Sequence, residues 1–378
     1  MAKIFWLVGE SSGDLHASML MQRINQDILG VKHFGIGGMK MQALGLKPLF
    51  PFERFAVMGF AEVIRHLPFF LKVESSIKQS LERERPDLVI LVDYPGLNLR
   101  IAKIADDLKI PVLYYICPQF WAWKHKRVYK LKETVRHVAC ILPFEKELLD
   151  IHNVPCSYVG HPIAEEISFE LDRQSFAVFF GLDPSKKWLG FFPGSRNAEI
   201  KRMLPIYLET AKAFDPQEYE ILFSKARSVS HHQYTDILHT HAGVKPHIID
   251  GYTYEMMKYC ELLTVTSGTA TLEAAFIGTP LIIAYQTSRL SYAIGKRLVR
   301  VKRIGLPNIV LDKDLLPEMV QDQLSPQRLA TKIRSLLDDS ERYQYIREEL
   351  RRIHQILGER KASIQAMKIV RKLLRIDE

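Results

Sequence analysis

Short unbroken apolar runs alternate along the chain with longer stretches whose apolar positions recur at helical spacing. Runs at 3–8, 110–117, 137–142 and 155–159 read as buried strands, and 86–98 as a strand ending in a polar loop. A second series follows at 188–192, 219–223, 246–249, 262–265 and 280–285. Strand alternating with helix is the pattern of a largely parallel α/β sheet. The stretch 164–186 is charged and has no strand pattern, so it divides the two series. The expected class is therefore α/β, with two Rossmann-like domains at 1–170 and 171–345 facing across a cleft. A charged helical tail at 346–378 completes the chain, whose 378 residues suffice for two cores.

Chemistry in such sheets gathers where strands end. Ser267-Gly268-Thr269 follows an apolar strand and opens an apolar helix. Small residues at a helix N-terminus let backbone N–H groups meet an anion, so this reads as a phosphate seat. Glu273, one turn later, suits a ribose diol; the plainer alternative is an N-cap with its capping-box glutamate. Gly194-Ser195-Arg196 repeats the strand, glycine turn and helix start, with an arginine whose planar fork fits a diphosphate. In the first series, Gly9-Glu10-Ser11-Ser12-Gly13-Asp14 opens a helix through about Leu29, and Gly35-Ile36-Gly37-Gly38 forms a second turn. Asp93 ends a core strand, placed for chemistry or for capping the next helix. His161 also ends a strand and reads as structural. Asp312-Lys313-Asp314 reads as a cap before a Leu-Leu helix start, not as a metal–nucleotide motif.

Composition narrows the classes. With 47% hydrophobic and 25% charged residues the chain is globular, which excludes disorder. A net charge of +9 asks for an anionic partner: nucleic acid, anionic lipid or a phosphorylated substrate. The apolar start is too short for a signal peptide, and no window reaches the ~18 uncharged apolar residues of a membrane helix. Cys117, Cys140, Cys156 and Cys260 lack metal spacing and read as buried free thiols of a cytoplasmic protein. The stretch 55–73 is very apolar yet broken by Gly59 and Pro68. It suits either a helix pair packed on the sheet or a patch that meets a membrane or acyl chains. At 118–127 basic residues interleave with aromatics, which fits nucleic-acid stacking, a phosphorylated-lipid wall, or a helix with a solvated basic face and two buried tryptophans.

Taken together, Gly9–Asp14, Ala56–Gly59, Trp121–Trp123, Leu142–Glu145, Val159–His161, Pro193–Arg196, Ser267–Ala270 and Leu306–Asn308 run in order over almost the whole chain. In these motifs it resembles the lipid-A-disaccharide synthase family, inverting GT-B glycosyltransferases of the Gram-negative envelope. One departure is Gly96, where the family often carries a second acidic residue, so weight falls on Asp93 alone. The resemblance implies transfer of 2,3-diacylglucosamine from its UDP derivative to 2,3-diacylglucosamine 1-phosphate, giving a β-1,6 disaccharide and UDP. It implies Asp93 and Glu10 as catalytic residues. Gly194, Ser195, Arg196, Ser267, Gly268, Thr269, Glu273 and Asn308 would bind the donor. Val63, Ile64, Leu67, Phe69, Phe70 and Leu71 would meet the acceptor's acyl chains or the inner-membrane surface. No metal, cofactor or nucleic acid is expected, and the helical tail is a candidate for exchange in a homodimer. A UDP-sugar 2-epimerase is the alternative within enzymes; an RNA-binding protein is the alternative outside them.

Overall fold

The computed structural model describes residues 1–376 apart from 57–66, 123, 227, 242, 244, 299–301 and 359. The chain divides into two compact units, residues 1–165 with 359–378, and residues 166–358.

The first unit is built on a seven-stranded sheet. Its strands are β1 Lys3–Val8, β2 Lys32–Ile36, β3 Lys47–Pro48, β4 Leu88–Val92, β5 Val112–Tyr115, β6 His137–Cys140 and β7 Cys156–Tyr158, in the order β3-β2-β1-β4-β5-β6-β7. All neighbours are parallel. A parallel sheet is covered on both faces, which is why β4 is an apolar run with every residue buried. Trp6 of β1 shows how the core tolerates polar atoms. Its indole N–H donates to His33 Nδ1 at 3.0 Å, so the ring's proton is on Nε2, 2.9 Å from Asn25 Oδ1. Burial lowers His33 to about 4 and keeps it neutral.

The second unit repeats the plan with six strands: β8 Lys187–Phe192, β9 Tyr219–Lys225, β10 His247–Asp250, β11 Leu262–Thr266, β12 Leu281–Tyr285 and β13 Glu318–Val320. Their order is β10-β9-β8-β11-β12-β13, again parallel throughout. In each sheet the strand order reverses once, at β1/β4 and at β8/β11. Ligands of doubly wound sheets bind outside the strand ends at this switch point.

Several expectations are corrected. The unit boundary falls at 165/166, and the tail is divided. Helix Ser340–Gly358 belongs to the second unit and packs on helix Thr269–Ile277, whereas helix Ala362–Leu374 returns to the first unit and packs on helix Ser11–Asp27. Amphipathic spacing shows that a helix has an apolar face, not which sheet it covers. Gly35 lies inside β2, where a Cβ would come within 2.0 Å of the Trp6 carbonyl, and only Gly37-Gly38 turn. No helix starts at Leu315; instead Arg303 is held by Asp312 and Asp314, each at 2.6 Å. Residues 118–122 and 124–126 are non-helical, and the helix begins at Arg127. Trp121 is half-buried, and Trp123 lies outside the described residues. Cys156 is partly exposed, unlike the other three thiols.

Of the apolar stretch, Val63, Ile64 and the Leu67 side chain lie outside the described residues. Phe70 is buried in an aromatic cluster with Phe55 and Phe69, and the Arg54 guanidinium sits 4.3 Å over the Phe69 ring. Among the described side chains of the predicted patch, Leu71, 53% exposed, faces out. Among the described residues no helix is long and apolar enough to cross a membrane.

Candidate functional site

In the first unit the loops after β1 and β4 meet at the switch point. Gly9 follows β1 and lies against the Tyr94 ring, where a Cβ would come within 2.4 Å of it. The fit admits only glycine. Glu10 takes the N-cap position of helix Ser11–Asp27, and its side chain makes no capping bond. Asp14, four residues on, has a structural task. Its buried carboxylate accepts N–H groups of Gly38 at 2.7 Å and Lys40 at 3.1 Å, closing the start of helix Met39–Ala43.

Asp93 follows β4. It and Tyr94 are both left-handed, at φ 45° and 41°. Pro95 then starts helix Pro95–Asp107 at the position where a missing N–H costs nothing. The Asp93 carboxyl is pushed up to about 7, first by burial and then by the charge of Glu10. His16, the Tyr94 N–H and Arg127 pull the other way. A carboxyl that gains and loses its proton near neutrality is what a general base needs.

A second acid, this one fully buried, stands close by. Glu145, 1% exposed, accepts the Trp121 indole N–H at 3.1 Å and the Leu142 N–H at 3.3 Å, and burial raises it to about 7. His161 is buried, and its Nδ1 accepts from the Ile163 N–H at 3.3 Å. Burial, then the neighbouring His16, lowers it to about 3, so it stays neutral as a structural group does.

In the second unit both predicted turns sit at the β8/β11 switch point, and their polar groups are largely paired within the protein. Gly194 is left-handed at φ 121°, and a Cβ there would meet Glu199 at 2.6 Å. Glu199 Oε2 accepts the Ser195 N–H at 2.9 Å and the Arg196 N–H at 3.2 Å, while Oε1 accepts from the Arg196 guanidinium at 3.1 Å. The chain's own carboxylate therefore rests in this anion-friendly turn. After β11, Ser267 donates its N–H to Ala284 O and its hydroxyl to Ile304 O. Gly268 and Thr269 are exposed, and no side chain caps helix Thr269–Ile277. Its N-terminus is the part of the predicted seat that faces out with its partial positive charge. Glu273 is half-buried one turn in; its charge adds to burial in holding the Tyr254 hydroxyl protonated.

Asn308 is buried behind this loop. Its Nδ2 donates to Leu316 O at 2.9 Å and Glu318 Oε1 at 2.8 Å, and its Oδ1 accepts the Leu316 N–H. Glu318 also accepts the N–H groups of Ile304 and Gly305. Both amide protons are committed, so Asn308 shapes the loop that Ser267 leans on.

The chain matches the model of a family described as lipid-A-disaccharide synthetase over residues 4–372. It is 40% identical to the lipid-A-disaccharide synthase of Nitrosococcus oceani, over 93% of this chain and 91% of that one. The chain belongs to the lipid-A-disaccharide synthase family. The lipid-A-disaccharide synthase of Geobacter metallireducens is 37% identical over 98% and 97% of the two chains. Among solved structures it is similar to UDP-GlcNAc 2-epimerase from Neisseria meningitidis bound to UDP-GlcNAc (TM-score 0.65, 12% identity, 99% and 100% covered). It is also similar to the calicheamicin glycosyltransferase (TM-score 0.64, 14% identity, 100% and 99% covered). At these identities the structures report the fold, GT-B, and the epimerase alternative has no support beyond that shared fold. Family membership makes the chain a glycosyltransferase of lipid A biosynthesis, acting on a UDP-linked sugar and a lipid sugar.

The sequence named Asp93 and Glu10 as candidates and left much of their surroundings unread. Glu199 was legible in principle, as the glutamate three residues into a helix. Glu145 carried the same signal, but its burial against Trp121 joins segments remote in sequence. Tyr94 and His16 gave no signal beyond their types, and Arg127 only its place at the end of the basic–aromatic stretch 118–127.

Proposed function

We propose that this chain transfers 2,3-diacylglucosamine from its UDP derivative to the 6-hydroxyl of 2,3-diacylglucosamine 1-phosphate, giving the β-1,6 disaccharide 1-phosphate and UDP. One observation supports this above others: the Asp93 carboxyl, at a switch point beside Glu10, titrates near 7. The acceptor oxygen bonds to the anomeric carbon opposite the diphosphate, and the hydroxyl proton passes to Asp93. The bond from that carbon to the phosphate oxygen breaks, and its electron pair leaves with UDP. Such an in-line displacement inverts the anomeric centre. Glu10 raises the basicity of Asp93 through its charge.

The second unit holds the donor on this reading. The loops at Gly194-Ser195 and Ser267-Gly268-Thr269 seat the diphosphate. The helix N-terminus at Thr269 and the Arg196 guanidinium take up its developing charge without a metal ion. Glu273 accepts from the ribose diol, and Asn308 acts by shaping the loop. The acyl chains and the cytoplasmic face of the inner membrane meet the 55–73 segment, with Leu71 facing out; the basic excess favours anionic headgroups. Two chains pair through the C-terminal helices, which light scattering of the purified protein tests.

The testing experiment supplies the protein, in detergent, with UDP-2,3-diacylglucosamine, with and without the acceptor. Chelator is added in a parallel set. UDP release that needs the acceptor, yields a β-linked disaccharide and ignores chelator is expected. Release without acceptor, pointing to hydrolysis or epimerisation, overturns the proposal.

A further inference from the structure

The left-handed turn that carries Asp93 is held by side chains with no part in the reaction itself. Two consecutive non-glycine residues in this region, Asp93 and Tyr94, each cost on the order of 1–2 kcal/mol. Ile116, at the end of the neighbouring β5, is left-handed as well at φ 67°, which is unusual for a β-branched residue. Such strain persists only where the surroundings over-determine it.

Here they do. The Asp93 carbonyl oxygen accepts from the Tyr114 hydroxyl at 2.6 Å and from Asn98 Nδ2 at 2.7 Å. The same Nδ2 reaches Val92 O at 3.1 Å, and the Asp93 N–H donates to Tyr115 O at 3.2 Å. Asn98 and Tyr114 are both fully buried. Asn98 Oδ1 has no hydrogen-bond partner among the described residues. A buried orphan oxygen costs roughly 1–3 kcal/mol, so this asparagine is not placed for its own stability. Below the turn, the Tyr94 ring lies on Gly9, the residue before Glu10. The clamp thus fixes the two loops that carry the two carboxylates.

We infer that Asn98 and Tyr114 are positioning residues for the transfer reaction: their hydrogen bonds to the Asp93 carbonyl hold the turn that aims the Asp93 carboxylate. The inference rests on the reading of Asp93 as the base. A group that acts through Asp93 has a signature that a merely stabilising group lacks. Its loss lowers turnover in folded protein, frees the carboxylate from its half-buried place beside Glu10, and adds nothing once the carboxylate is gone.

The test compares Tyr114→Phe, Asn98→Ala and Asp93→Asn, and both clamp variants in the Asp93→Asn background. Turnover, KM for each substrate, the acid limb of the pH–rate profile and the melting temperature are measured. Tyr114→Phe is expected to lower kcat about 10- to 100-fold, the size of effect a displacement near 1 Å produces. KM values stay within about twofold, and the acid limb moves to lower pH by roughly half a unit or more as the half-buried carboxylate gains further access to solvent. Asn98→Ala does the same with a lower melting temperature, and neither adds to Asp93→Asn. Unchanged kcat and acid limb in Tyr114→Phe, which keeps the ring, overturn the inference while Asp93→Asn still abolishes turnover. Additive losses in the double variants also overturn it. If Asp93→Asn retains turnover, the reading of Asp93 falls first and the clamp with it.

Discussion

After β1 and β4 of the first unit stand carboxylates that work against each other: Glu10 and burial together hold Asp93 near 7, with Glu145 raised beside it. After β8 and β11 of the second unit the polar groups are already matched. Glu199 occupies the Gly194 turn, Ser267 leans on Ile304, and Asn308 closes on Leu316 and Glu318. The two units share a strand order yet keep different kinds of energy at the same place in it. Acids with raised pKa values and left-handed non-glycine backbone at Asp93 and Tyr94 in one unit are poised for proton transfer. A satisfied scaffold in the other is poised to bind, because its loops need little ordering when a ligand arrives.

The comparison breaks most visibly at Asp93. Asp93→Asn should lower turnover by about 10² to 10⁴, the range for losing a general base, with UDP affinity unchanged by calorimetry. Loss of UDP binding instead would make Asp93 a structural residue. In the second unit the expected pattern reverses. Glu273→Ala should raise the donor KM roughly 10- to 100-fold, the worth of a charge-assisted hydrogen bond, with kcat within about threefold. Glu199→Ala should weaken UDP binding about five- to tenfold, because the turn loses the anion that holds its N–H groups and Arg196 together. Tighter UDP binding would show that Glu199 competes with the diphosphate.

Two smaller effects concern pH and sharpen the contrast. In wild type kcat/KM should rise with pH through about 7, as Asp93 gives up its proton. Glu145 has a raised folded pKa, so its contribution to stability is present below the unfolded value near 4.5 and is lost as pH climbs through about 7. Glu145→Gln keeps an acceptor for the Trp121 N–H and removes the buried charge. It should stabilise the protein at pH 8 by up to about 3 kcal/mol and do nothing at pH 4, as read by denaturant unfolding. His33 runs the opposite way. Its pKa falls to about 4 on folding, so its stability is present above about 6.5 and is lost as pH falls toward 4.

Residue order alone determined a great deal. Apolar runs at strand length, helical spacing between them and a charged break made two parallel sheets legible, because strand and helix periodicity are local properties of a chain. The turns at Gly9, Gly194 and Gly268 and the strand-end position of Asp93 were legible for the same reason. The short edge strands β3 and β13 and the division of the tail between units were not, since their positions depend on what they pack against. Nor was the state of the site. Whether Asp93 ionises near 4 or near 7 depends on burial and on Glu10, brought to it by the pairing of β1 with β4. Whether Arg196 meets solvent or Glu199 depends on the turn of one helix. Residue types set which charges are available; the tertiary structure sets their distances and their access to water, and those decide what each charge can do.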